Sequence, residues 1–429
     1  MTKTTVAGGR ISRRTFLTAS AATLAMPAIL RNTRAYAEDM VIKVGHVSPR
    51  TGPLAGFGEA DPYILGEIEK VFAGGIDNNG KLVKVEIIAK DSQSNPNRAA
   101  EVAAELILQD EVDIITAAST PDTTNPVADQ AEVNEVPCVT TDCPWQPYFF
   151  GRNGDPATGF DWTYHFFWGL EDVIAAFLAL WDQQGVAKTV GGLFPNDADG
   201  NAWGDAQVGF PPALDKAGFK LVDPGRYQPL NSDFTAQISA FKDAGCEIVT
   251  GNMIPPDFAT FWGQAAQQGF NPKIVTIGKA LLFPSVVDSL GDRANGLSSE
   301  IWWTPNHPFS SSLTGQSARE LTNAYTEATG RPWTQPIGFK HALFEVVADV
   351  VKRADDLDDS SAIIDAIAST NLKTIVGPVE WTGTPVRNVT KTPLVAGQWQ
   401  KGTDGFDLVI CENETAPEIP VGGELKLIG

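Results

Sequence analysis

The segment FDWTYHFFWG (160–169) places aromatic rings at every even position, Phe160, Trp162, Tyr164, Phe166 and Trp168. Side chains alternate faces along a strand, so this pattern predicts a strand with one aromatic face, which is core by default. On both sides of it the chain alternates short apolar runs with amphipathic stretches. VIKVGHV predicts a strand (41–47), followed by a glycine-rich loop over 53–58 and a helix. KLVKVEIIAKDSQSNPNRAAEVAAELILQDEVDIITAAS then predicts strand, loop, helix, strand, the helix opening at Asn95-Pro96. A short helix and the apolar strand near Cys138 close the first series. A second series follows: helices over 170–183, 203–217, 233–244 and 256–268, leading to strands over 188–194, 219–222, 247–250 and 273–277. Past residue 300, helices are expected over 317–329, 339–353 and 361–370, and short strands over 378–381, 394–400 and 406–411. Strands alternating with helices predict parallel sheets covered on both faces, here as two α/β units.

The N-terminus does not fit this rhythm. It carries a basic and polar start, the twin arginine Arg13-Arg14 within SRRTFLT, a modest apolar stretch from Phe16 to Leu30 and the A-x-A run Ala35-Tyr36-Ala37. That order of parts predicts a Tat-type export signal over 1–37, cleaved after Ala37, and a periplasmic protein. The apolar run is shorter and less apolar than the ~20 residues of a span, which argues against membrane insertion. Residues 1–37 hold six Lys/Arg and no acid, leaving 26 basic against 52 acidic residues, a formal charge of −26. Such a charge argues against nucleic acid and anionic membranes as partners and suits a freely diffusing monomer. Of the cysteines, Cys138 and Cys143 can pair only if the chain between them bends, and Cys246 and Cys411 border predicted strands as buried thiols.

These motifs carry a family resemblance. VGHVSPRTGPLAGFG, DSQSNPNRAAEVAAELILQDEVDIITAASTPDTTNPVADQAEVNEVPCVTT, NDADGNAWGDAQ, DFTAQISAFKDAGCEIVTGNMIPPDFATFWGQAAQQGF and VGPVEW occur in order. Together, over residues 41–411, the chain resembles the substrate-binding proteins of branched-chain (Leu/Ile/Val-type) amino acid ABC transporters. The resemblance implies the type I periplasmic binding fold, an α/β architecture of two Rossmann-like lobes joined by a three-crossing hinge. One lobe would hold 40–164 plus 302–388, the other 165–301 plus 389–429. It also implies a ligand in the cleft and a membrane ABC permease as partner. A sensor of the same fold, reporting to a receptor, would have the same sequence features.

Open α/β sheets bind ligands beyond the carboxyl ends of their strands. TAASTPDTTNP supplies Ser119, Thr120, Thr123 and Thr124 where a strand gives way to a helix. Hydroxyls and free N–H groups there suit a carboxylate, while ordinary helix capping uses the same residues. VTTDCPW supplies Thr141 and Asp142. By the resemblance, these two segments hold an α-carboxylate and an α-ammonium, Trp203 is a stacking aromatic, Met253 faces it across the cleft, and Phe57 begins the side-chain pocket. Trp168, at the end of the aromatic segment, approaches the cleft. Trp145 lies in a long connection, either a pocket rim or an added surface loop.

One departure stands out. Where amino-acid binders of this family have an acid that neutralises the ligand ammonium, TIGKALLF carries Lys279. A cation attracts an anion, so this favours a carboxylate-bearing ligand, hydrophobic or aromatic, unless Asp142 replaces the missing acid. Nothing in these motifs calls for a cofactor or a metal. G-x-S-x-G, H-E-x-x-H, P-loop and G-x-G-x-x-G patterns are absent, which argues against an enzyme. DADGN (197–201) resembles a calcium loop, but Ala202 and Val208 stand where its glycine and bidentate glutamate belong.

Overall fold

The computed structural model describes residues 40–403 and 405–429. The export signal read at 1–37 lies outside the described residues. The described residues form one compact unit, built on two seven-stranded sheets. The strands are β1 (Val41–Ser48), β2 (Ile76–Asn78), β3 (Lys81–Asp91), β4 (Ile114–Ala118), β5 (Cys138–Thr141), β6 (Thr163–Phe166), β7 (Thr189–Leu193) and β8 (Lys220–Val222). They continue with β9 (Ile248–Met253), β10 (Ile274–Lys279), β11 (Leu297–Ile301), β12 (Asn371–Thr374), β13 (Gly377–Glu380), β14 (Val389–Thr390), β15 (Val395–Lys401) and β16 (Phe406–Glu412).

The first sheet runs β14-β6-β5-β4-β1-β3-β2, parallel except for the β2 edge. The second runs β16-β15-β11-β10-β9-β7-β8, parallel from β11 to β8, with β15 and β16 antiparallel. β12 and β13 form a separate hairpin. β4, β5, β9, β10 and β11 are buried at every residue. Continuous burial is what a parallel strand covered by helices on both faces requires. The two α/β units are therefore as expected. β6 ends at Phe166 and β14 at Thr390, both within the first sheet. Residues 165–166 and 389–390 thus lie with that sheet, two residues beyond the expected limits of 164 and 388.

Two elements differ from expectation. The aromatic strand is only four residues long, because β5 offers partners at just three positions, Cys138↔Thr163, Val139↔Tyr164 and Thr140↔His165. Its aromatic face is core: Tyr164 and Phe166 pack against Trp381, and Phe166 stacks on Phe339. The opposite face is buried as well. The helix expected over 203–217 is two helices, Ala198–Trp203 and Phe210–Lys216. Pro211 and Pro212 lack an N–H and clash inside a helix, so a new helix starts there, where proline fits the first turn. All four cysteines are unpaired and buried, Cys138 and Cys143 included.

The helix Pro336–Arg353 runs through the core with fifteen of its eighteen residues buried. Its Lys340 Nζ lies 2.8 Å from Asp61 Oδ1, both fully buried. His46 and Ser48 also reach Asp61. Burial pushes the Asp61 carboxyl up, but the Lys340 ammonium and His46 overcome it and hold the group well below the carboxylate range.

Candidate functional site

The carboxyl ends of the parallel strands of both sheets converge on a narrow cavity of about 20 Å³. The lining residues lie at these strand ends or in the segments that follow them. From the first sheet come Phe57 after β1, Thr120 after β4, Asp142 and Pro144 after β5, and Phe167 and Trp168 after β6. From the second come Asp199 and Trp203 after β7, Asn252 in β9, Lys279 and Leu282 at the end of β10, and Glu300 and Trp302 at the end of β11.

Of the residues expected from sequence, Phe57, Thr120, Asp142, Trp168, Trp203 and Lys279 line this cavity. The others lie outside its lining. Thr141 donates its hydroxyl to the Phe166 carbonyl at 2.7 Å, and Thr124 donates to the Ser119 carbonyl at 3.0 Å. Thr123 Oγ1 points back to the Thr120 carbonyl. Met253 is packed into the core of the second sheet. Trp145 is half-buried in the short helix Trp145–Phe149 and donates to Glu171 at 3.2 Å. Ser119 is buried beside the site, its hydroxyl without a hydrogen-bond partner among the described residues.

Thr120 is the N-cap of the helix Pro121–Val133, yet its side chain makes no capping bond. Its hydroxyl, the Asn252 amide and the indole N–H groups of Trp168, Trp203 and Trp302 likewise find no partner among the described residues. All five residues are buried. Buried polar groups are normally satisfied, so a set of unmade bonds around one cavity points to a bound molecule. Trp203 stacks on Phe210 with ring centroids 5.1 Å apart, and Phe57 stacks on Trp302 at 6.3 Å. Gly278 leaves the room this needs: a Cβ there would lie 2.8 Å from Trp203 Cη2 and 3.0 Å from Glu300 Oε2.

Sequence reasoning treated Lys279 as a cation open to an anionic ligand. The structure instead engages it. Its Nζ lies 3.0 Å from Asp199 and 3.2 Å from Asp197. Burial pulls its ammonium down, but these two aspartates and Asp122 more than offset that and hold it firmly protonated. Its backbone N–H donates to Glu300 Oε1 at 3.1 Å, from the left-handed region at φ 67°.

The carboxyls that face the cavity are less well served. Asp142 sits at φ 73° with neither oxygen hydrogen-bonded among the described residues. Burial pushes it up to about 8, with Lys340 pulling only partly the other way. Burial likewise raises Glu300 to about 7 and Asp199 to about 6. Sequence reasoning did not single out Asp199, Glu300, Asn252 or Trp302. Asn252, Glu300 and Trp302 fall at strand ends, and strand-end position was their one signal; Asp199 lies in the helix Ala198–Trp203.

The cavity is walled from both sides. Asp122, from the helix after β4, accepts a hydrogen bond from the Ala198 N–H after β7 at 3.3 Å. Phe57 meets Phe283 edge to face at 5.3 Å. Outside this contact a wider groove opens, lined by Arg50, Pro53, Gly56, Phe283 and Arg331. Among the described residues no group of His, Cys, Asp and Glu could hold a metal ion, and no helix is long and apolar enough to cross a membrane.

Comparison with known proteins places this geometry. A family described as periplasmic binding protein matches residues 41–404. Among solved structures, the leucine binding protein LivK of Thermotoga maritima superposes with a TM-score of 0.68 at 19% identity, over 87% of this chain and 99% of its own. An ABC-transporter solute binding protein of Rhodopseudomonas palustris BisB5, in complex with 3,4-dihydroxybenzoic acid, gives 0.71 at 20%, over 89% and 99%. LivJ of Streptococcus pneumoniae, in complex with isoleucine, gives 0.68 at 17%, over 86% and 99%.

Proposed function

The chain belongs to the periplasmic binding protein family, and we propose that it is an exported solute-binding protein that captures a small organic molecule between two lobes and delivers it to an ABC permease. The observation that carries this reading is the cavity itself, lined by strand ends of both sheets and by buried groups with unmade hydrogen bonds. The lobes are the two sheets with their helices, and the chain crosses between them after β6, after β11 and after β14. Hinge motion at these crossings would open the cleft, and closure over the ligand would give the form the permease reads. In this reading the twin-arginine segment directs export by the Tat pathway and the mature protein works in the periplasm.

The ligand class follows from the site's charge. With Lys279 already paired to Asp197 and Asp199, a plain carboxylic acid has no spare cation to meet. Asp142 and Glu300 favour a solute that carries a basic nitrogen, amino acids included. Donors at Thr120, Asn252 and the indoles remain for its polar end. A thermal-shift screen of the purified protein tests this. A ligand at 100 times its Kd adds ~2.7 kcal/mol of stability. Amines and amino acids should raise Tm where their deaminated acids do not. A shift with aromatic carboxylates alone would return the site to the anionic reading, and no shift with any small solute would remove solute capture.

A further inference from the structure

Resting on the reading of the cleft as a solute site, we propose that the captured solute is an organic ammonium of net positive charge, held among Trp168, Trp203 and Trp302 by Asp142, Asp199 and Glu300. Three observations carry this. The cavity is lined by three carboxyls and one lysine, and that lysine is shared between Asp199 and Asp197. One of the carboxyls, Asp142, is 4% exposed with both oxygens unpartnered among the described residues. The remaining walls are largely aromatic, Phe57 and Phe167 adding to the three indoles.

A lone buried carboxylate is costly, and a second and third beside it more so. A cation entering the cavity is attracted by all three, while the electron-rich ring faces of tryptophan and phenylalanine accept the alkyl shell of an ammonium that water would otherwise hydrate. A zwitterion would add a carboxylate to a site already in excess of acid.

The charges around the three carboxyls set how the site responds to pH. Asp142 faces Lys340 and, behind it, Asp61. Asp199 faces Lys279, Asp197 and Asp122, and Glu300 faces Asp199 and the Lys279 backbone. Burial holds the empty site's carboxyls partly protonated between about pH 6 and 8. A bound cation favours their ionised forms, so capture releases protons, and affinity rises with pH across that window. An anion would bind with the opposite sign.

Calorimetric titration of the full-length protein tests this with four probes of similar size: choline, its uncharged isostere 3,3-dimethylbutan-1-ol, the anion 3,3-dimethylbutanoate, and leucine. Choline is expected to bind at least tenfold more tightly than the other three. Its affinity should rise from pH 5.5 to 8 by up to about tenfold per pH unit for each proton released. Its binding heat should differ between phosphate and Tris buffers by the buffer's ionisation. Glu300→Gln and Asp142→Asn should each flatten the slope and weaken choline by a larger factor than the alcohol. If either variant does not fold, the slope of the unmodified protein decides. Tighter binding of the alcohol, the carboxylate or leucine, or an affinity that falls as pH rises, overturns the cation proposal and leaves solute capture standing. If no probe binds and no solute in a wide thermal-shift panel does, the capture reading fails as well.

Discussion

Two buried clusters of charge lie a short way apart in this protein and are built on opposite terms. In the first, Asp61 touches Lys340, His46 and Ser48 inside the first lobe. The Lys340 ammonium offsets the burial of the Asp61 carboxylate, which stays ionised. In the second, Asp142, Asp199 and Glu300 face a cavity whose one ammonium is shared by Asp199 and Asp197, and burial lifts all three toward neutrality. The first cluster holds its carboxylate in an ion pair with Lys340 and ties the helix Pro336–Arg353 to the helix Asp61–Phe72. The second has one ammonium, paired to Asp199 and Asp197, and leaves Asp142 without an ion pair or hydrogen bond among the described residues. Buried charge by itself therefore does not separate the two clusters; what separates them is that Asp142 is buried with neither oxygen partnered among the described residues.

The contrast can be broken most forcefully at the first cluster. Lys340→Met leaves Asp61 buried and unpaired, and should cost about 3–5 kcal/mol in chemical denaturation. The same experiment on Asp142→Asn should have the opposite sign. The Asp142 carboxyl is raised in the folded state, so its contribution to stability is full below the unfolded carboxylate range and is lost as pH rises toward about 8. At pH 8 the variant should be more stable than the parent by about 2 kcal/mol or more, and at pH 4 the two should converge. Asparagine also tolerates the positive φ of this position. Loss of stability at pH 8 would show that Asp142 has a partner of its own, and would place it with Asp61.

A smaller effect is expected at the mouth of the cleft. A Cβ on Gly56 would lie 2.9 Å from the Phe283 ring across the interface. Gly56→Val should therefore hinder closure and weaken ligand binding by about tenfold, or 1.4 kcal/mol, with Tm of the empty protein nearly unchanged. The smallest effect belongs to Trp145, which lies outside the cavity. Trp145→Ala should leave ligand affinity within about twofold and cost on the order of 1 kcal/mol of stability. A large loss of affinity would extend the site out to this helix.

The alternation of strands and helices was legible because parallel strands buried on both faces read as short apolar runs, and the chain shows them in order from β1 to β11. The aromatic run at 160–169 was legible as core, but its length was not. β6 stops where β5 stops, and that partner lies 25 residues earlier along the chain. The break after Trp203 was present in the sequence as Pro211-Pro212 and was passed over.

Among the cavity-lining residues, Thr120 and Asp142 were legible because each follows an apolar strand, where an open α/β sheet gathers its ligand groups. Trp203 and Lys279 were legible through the family resemblance, which does not give the ion pairs that Lys279 makes. Its neighbours Asp197 and Asp199 come from the turn after β7, about 80 residues away, and meet it only because β9 lies between β7 and β10 in the second sheet. Glu300 and Trp302 escaped notice for a related reason. They end β11, where the run SSEIWW reads as strand and core, with nothing local to show that its end faces a cavity.

The sequence by itself determined the two α/β units and an aromatic core, since these depend on periodicity and local propensity. Only the tertiary structure decided the sign of charge in the cleft. That sign is a sum over side chains from both sheets, and which carboxylate takes the one available ammonium depends on distances of about 3 Å that strand order sets.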